Sequence, residues 1–372
     1  MKGDPDELGA VPKSGGEVSG LPFTFHGSRF TQSTATTLVI QTSFLGDVVL
    51  TTPLVTSLAQ QHGPVDVVTT AAAAPLLETH PAVATGFRYD KRGEDRGWLG
   101  FRRLAARLRE RRYHRAYLPH RSWRSAALAL AAGIRQRTGF ADSPAAITYT
   151  TRIPRPRSGH EAERLLALAG PGIQTIPGVS LGLTPDDYAA ADEWLRLRAL
   201  NSGFVALAPG SIWGTKRWPW YAELVTALEA PAVVVGSKED ISLADAVVAA
   251  APDRVHSAAG TLSLRSSAAL IQRAAVLVTN DSAPLHFATA VGTPVVALFG
   301  PTTLTFGFGP RGPRDRVVQL EGLGCRPCSS HGPQICPLGH HHCMRKLSVE
   351  EVQAAVLAIL GLEERRAIHP GR

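Results

Sequence analysis

No run of apolar residues in this chain of 372 comes near the ~20 that a membrane-spanning helix needs; the longer runs, such as 126–132 and 294–299, fall well short. No positively charged start leads into an apolar stretch, so a secretory signal is not expected and a cytoplasmic protein is. Aromatic residues make up only 6%, too few for a stacking platform along a nucleic acid strand. Cysteine is confined to four residues between 325 and 343, which rules out a disulfide framework spread over the chain. Acidic residues are outnumbered, 31 against 39 Lys and Arg. The resulting formal charge of +8 is one-sided: positions 88–137 hold fifteen Lys/Arg and four Asp/Glu. Such a field suits an anionic partner, or else an arginine-rich solvated face.

What is present is a long alternation of strand and helix signals. Apolar runs at 37–41, 65–69, 86–89 and 116–118 predict strands, with helices between them at 47–61 and 97–112. In the latter, Trp98, Phe101, Leu104, Ala105 and Leu108 recur at helical spacing and predict the buried face. A Pro- and Gly-rich stretch, 148–183, carries one short helix at 160–169 and reads as a crossover. A helix at 186–200 opens a second series, with strands at 204–209, 232–236, 255–258, 276–279 and 295–299 and a last helix at 348–360. Two consecutive series of this kind predict an α/β protein of two Rossmann-like, doubly wound parallel-sheet domains facing a cleft. The expected division is a disordered leader over 1–36, an N-terminal domain over 37–184, a C-terminal domain over 185–346 and a terminal helix over 347–361.

Ligands of open α/β sheets gather beyond the C-terminal strand ends. Three turns stand there: SFLGD at 43–47, PGSIWGTKRWP at 209–219 and NDSAPLH at 280–286. In the last, Asp281 and Ser282 stand at a helix N-cap position and Pro284 just inside. The unpaired N–H groups of that first turn, with the positive end of the helix dipole, suit a phosphate, and His286 can add a donor. The middle turn offers Ser211, Thr215 and Lys216 around Gly210 and Gly214; it lacks the GxxxxGK[ST] order of a P-loop. Together the two turns read as a diphosphate site. Asp47 differs in kind, since a carboxylate repels phosphate. It either caps its helix or does acid–base work, while Gly46 before it allows close approach of a substrate.

Taken in order, Gly46-Asp47 with Pro53, Pro209-Gly210-Ser211 with Lys216-Arg217-Trp218-Pro219, and Asn280-Asp281-Ser282 with His286, Gly292-Thr293-Pro294 and Phe299-Gly300-Pro301-Thr302 resemble glycosyltransferase family 9. These are the ADP-heptose:lipopolysaccharide heptosyltransferases, and the similarity is greatest to the heptosyltransferase II type, over about 37–360. The resemblance implies a GT-B fold whose C-terminal domain binds the ADP-sugar and whose final helix crosses back to the N-terminal domain. It also implies an inverting transfer in which Asp47 is the general base. On the same footing Lys216, Ser211, Thr215 and the helix start Asp281–His286 stabilise the leaving diphosphate, so catalysis requires no metal. Ala283 departs from the family's usual glycine and leaves less room for the diphosphate. Glu239 or its neighbour Asp240, with Leu262 and Leu264, are candidates for the nucleoside.

With the acceptor an anionic lipid A inner core, Gly46, His120, Arg121 and Arg124 are the candidate acceptor contacts, and peripheral contact with the cytoplasmic face of the inner membrane is expected. Cys325, Cys328, Cys336 and Cys343, interleaved with His331, His340, His341 and His342, leave three readings open: a structural zinc or other metal, a reducible pair, or packed free thiols. Two rival functions remain, a GT-B transferase with another nucleotide sugar or acceptor, and a basic metal- or nucleic-acid-binding protein. The latter leaves the three phosphate turns without a purpose.

Overall fold

A computed structural model describes residues 23–24, 36–173 and 175–361, and the expected leader lies almost wholly outside them. The first sheet contains β1 (Phe23–Thr24), β2 (Thr37–Gln41), β3 (Val65–Thr69), β4 (Val83–Arg88), β5 (Arg115–Leu118), β6 (Gln136–Phe140) and β7 (Thr151–Ile153). Their order is β1-β4-β3-β2-β5-β6-β7, parallel except for β1. The second sheet contains β8 (Val205–Ala208), β9 (Ala232–Val234), β10 (Val255–Ser257), β11 (Val276–Asn280), β12 (Val295–Phe299) and β13 (Arg316–Gln319). Its order is β10-β9-β8-β11-β12-β13, parallel throughout. Among the described residues no helix is long and apolar enough to cross a membrane.

The central strands are buried along their whole length and mostly apolar because helices cover both faces. Side chains of β2 alternate between them: Leu38 and Ile40 meet Phe101, Leu104 and Leu108 on one side, Val39 meets Leu54 and Leu58 on the other. In the second sheet Val276 and Val278 face Leu224 and Val352, while Leu277 faces Ala269 and Leu285.

Several elements differ from expectation. The stretch 47–61 is two helices, Leu45–Leu50 and Thr52–His62, joined at Thr51 just before Pro53, whose ring cannot continue the first helix's bonding. Within the supposed crossover lies β7, and β6 and β13 were not anticipated; all three have partly exposed side chains and no apolar run to mark them. Trp98 is outside the core. The last helix, Val349–Leu360, packs on the second sheet, with Val352, Val356 and Ile359 in the same core as Leu224 and Val278, and does not cross back to the first. An apolar stripe of its own unit was available to bury it.

Candidate active site

The C-terminal ends of the two sheets face each other. Helix Leu45–Leu50, which follows β2, lies against helix Ala283–Val291, which follows β11. They pack tightly at Gly46, where a side-chain carbon would stand 2.6 Å from Cδ2 of His286. The missing side chain at 46 therefore makes room for the protein's own imidazole. His286 is 5% exposed, and burial pushes its pKa down to about 4, with the nearby Asp281 opposing the shift only in part. Near neutral pH that leaves an uncharged ring, packed against the opposite half at Gly46 and still carrying one N–H donor.

Asp47 sits one residue beyond this contact, half-buried. Ser43 Oγ donates to its Oδ2 at 2.5 Å and the Phe44 N–H donates to the same oxygen at 3.3 Å. Capping and catalysis need not compete, since Oδ1 accepts no hydrogen bond from any described residue. His120 stands within electrostatic reach. Burial and then Lys91 lower its pKa, Asp47 raises it, and its Nδ1 is buried without a partner among the described residues. Lys91, which sequence reasoning passed over, donates to Thr42 O at 2.9 Å and Thr42 Oγ1 at 3.1 Å. It thereby holds the turn that carries Asp47. Glu161 is a second carboxylate near Asp47, buried and clasped by Arg155 at 2.6 Å; burial raises its pKa, and Arg155 opposes that. Arg124 lies beside Lys91, while Arg121 turns outward to Asp142.

Across the cleft, Lys216 Nζ is 2.6 Å from Asp281 Oδ2, both side chains about nine-tenths buried. Thr302 Oγ1 donates to the same oxygen at 2.7 Å. Asp281, expected among the diphosphate contacts, is thus committed to aiming Lys216, as an anion beside a phosphate should be. The helix N-cap is Ser282, whose side chain makes no capping bond; Pro284 has no N–H and the Leu285 N–H donates to Ser282 O at 3.1 Å, so the N–H groups of Ser282 and Ala283 are the ones left for an anion. Asn280 binds the neighbouring turn: its Oδ1 accepts from Trp218 N–H and Tyr221 OH, and its Nδ2 donates to Pro209 O at 2.8 Å. An asparagine ending a buried strand was the available signal for that role. Ser211 remains at the cleft, accepting from Trp213 N–H at 3.3 Å. The Thr215 hydroxyl proton is engaged elsewhere, donated to Pro333 O at 2.5 Å.

The nucleoside candidates stand beyond β9 and β10 on the same edge. Glu239 is exposed, Leu262 and Leu264 are half-buried, and Asp240 caps the local turn through Ser237. Asp240 also occupies the space a side chain at Gly210 would need.

The cysteine segment wraps the middle turn. Besides Pro333, Gln334 Nε2 donates to Ile212 O at 2.8 Å, its Oε1 accepts from Gly214 N–H, and His341 meets Thr215 O at 2.7 Å. All four cysteines are free thiols. Burial and the neighbouring thiols push Cys343 up to about 11, and Cys328 is raised for the same reasons. Among the described residues no group of three or more His, Cys, Asp or Glu is arranged to hold a metal ion.

A family model, glycosyltransferase family 9 (heptosyltransferase), matches residues 101–337. Lipopolysaccharide heptosyltransferase 2 of Escherichia coli K12 is 31% identical over 309 residues, 76% of this chain and 87% of that one. The enzyme of the same name from Salmonella typhimurium is 30% identical, with the same coverage of both chains. Among solved structures, the E. coli ADP-heptose lps heptosyltransferase II superposes with a TM-score of 0.72 at 27% identity, covering 88% of this chain and 99% of that one. A family 9 glycosyl transferase from Veillonella parvula superposes at 0.78 with 22% identity, covering 90% and 100% respectively.

Proposed function

This chain belongs to glycosyltransferase family 9, has the GT-B fold and is a heptosyltransferase of lipopolysaccharide synthesis, and from that premise we propose how its cleft works. The donor is ADP-heptose and the acceptor the anionic inner core on lipid A, reached from the cytoplasmic face of the inner membrane. The acceptor hydroxyl gives its proton to Oδ1 of Asp47 as its oxygen forms a bond to the anomeric carbon. The bond from that carbon to the diphosphate oxygen breaks on the opposite side, so configuration inverts and ADP departs with the electron pair. Lys216, Ser211 and the helix start from Ser282 to Ala283 take up the charge that grows on the diphosphate, the work a metal ion does in other transferases.

One observation carries the reading: the helix bearing Asp47 touches the helix whose N-terminus faces Lys216, with Gly46 against His286 as the point of contact. Base and leaving-group site are thereby held on opposite walls of one cleft, a placement that contributes to rate only if the geometry is kept. Glu239, Leu262 and Leu264 fit an adenosine lying along the second sheet's edge. His120, Arg124 and Lys91 fit an acceptor carrying negative charge. The cysteine segment serves to hold the turn 209–219 in place. Calorimetry with ADP-heptose, ADP-mannose and a UDP-sugar tests the donor: the adenine diphosphates should bind, ADP-heptose most tightly, and a preference for the UDP-sugar overturns the assignment.

A further inference from the structure

Helix Gly97–Glu110 buries Phe101, Leu104 and Leu108 but leaves Trp98 67% and Leu99 74% exposed. Trp98 stacks on Phe101 from outside, with centroids 5.3 Å apart and planes within 13°. Helix Trp123–Ala131 begins with a second exposed tryptophan, Trp123, at 54%. Arg109 Nη2, near the end of the first helix, donates to Ala131 O at the end of the second at 2.7 Å. The two helices run side by side in one direction. Their starts follow β4 and β5, so they stand on the C-terminal edge of the first sheet, the edge on which Asp47 follows β2.

Arginine surrounds the three apolar side chains. Arg92, Arg96, Arg102, Arg103 and Arg124 are exposed there, against an exposed Glu94 and a buried Asp95 that accepts from Asp90 N–H and pairs with Arg103 at 3.8 Å. That one ion pair leaves the other four arginines without a carboxylate partner among the described residues, and none of the five is buried in the core. Exposed Trp and Leu ringed by Arg is the chemistry of a surface that enters the headgroup region of a bilayer. Three side chains offer too little apolar area for a stable protein interface, whereas an anionic leaflet adds attraction for each arginine.

We propose that this rim docks the enzyme on an anionic membrane, with Trp98, Leu99 and Trp123 in the headgroup layer and the arginines on lipid phosphates. The acceptor side of the cleft then opens at the bilayer surface, and an acceptor sugar reaches Asp47 while its lipid stays in place. The proposal deepens the preceding section and rests on its lipid-linked acceptor.

The test is flotation of the full chain with vesicles of phosphatidylethanolamine and phosphatidylglycerol, and with vesicles of phosphatidylcholine alone. Trp98→Ser/Leu99→Ser/Trp123→Ser should keep the wild-type melting temperature and its rate on delipidated acceptor sugar. It should lose roughly tenfold or more of its partition onto the anionic vesicles, and its rate on vesicle-embedded acceptor should fall with it. Brominated phosphatidylglycerol should quench the wild-type tryptophan emission. Equal partition of the variant and the wild type overturns the proposal. So does a wild type that ignores anionic vesicles, or a lipid-free dimer abolished by the same substitutions. If neither protein uses the delipidated acceptor, the acceptor assignment fails, while the flotation result still decides the docking surface.

Discussion

Lys216 and Asp281 are buried together, and each depends on the other. Removing one partner of such a pair typically costs ~3–5 kcal/mol because the remaining charge is left desolvated. Lys216→Ala should therefore lower both the melting temperature and the affinity for ADP-heptose. Lys216→Ala/Asp281→Asn removes the stranded carboxylate and should recover most of the melting temperature with none of the affinity. Thermal denaturation and calorimetry on the two variants separate the structural share of Lys216 from its share in binding. Gly46 gives a second test. A methyl group there meets the His286 ring at 2.6 Å, and overpacking of this kind costs ~1–3 kcal/mol. Gly46→Ala should lower kcat by displacing Asp47 from the opposite wall, and Gly46→Ala/His286→Ala should restore part of it; unchanged kinetics in the single variant would show that the contact does not set the cleft.

At the level of elements, the segment 325–343 acts as a strap across the turn 209–219, the proposed diphosphate site. Gln334→Ala removes the bonds to Ile212 O and Gly214 N–H. Steady-state kinetics should show a several-fold rise in KM for the donor with a smaller change in kcat, since the turn is loosened before the transition state is reached. A fall in kcat at constant KM would place the strap in the chemical step instead. The strap also shows where reading a sequence stops. Buried parallel strands such as TLVIQ and VVALF are legible because both faces are covered, and the turns that follow them are legible through their Gly, Ser and Lys. The partner of Thr215 is 118 residues away, and Lys91 reaches Thr42 across 49. Nothing local marks either pair, so Thr215 stood among the diphosphate candidates and Lys91 drew no reading. The edge strands β6, β7 and β13 were missed for a related reason, their side chains being too exposed to form an apolar run.

Across the whole molecule, histidines lie at the seam between the two sheets. His80 Nε2 is 3.1 Å from Ser180 Oγ, His160 Nε2 is 3.1 Å from Gly309 O, and His286 lies on Gly46. Burial is the leading cause in lowering each of the three from 6.5 to about 4. Between those values the unfolded chain binds more protons than the folded one. Their contribution to stability is therefore complete above about 6.5 and is lost as pH falls toward 4. Urea denaturation near neutrality and at about pH 5 should show a lower midpoint at the acid value, and His80→Gln/His160→Gln should shrink the difference. An equal shift in that variant would place the acid sensitivity elsewhere. The same seam holds the two catalytic walls together, so its most direct test is catalytic. Single-turnover transfer by Asp47→Asn at saturating ADP-heptose should be slower by ~10²–10⁴-fold with the donor dissociation constant and melting temperature unchanged; a rate within a few-fold of wild type would contradict the assignment of Asp47 as the base.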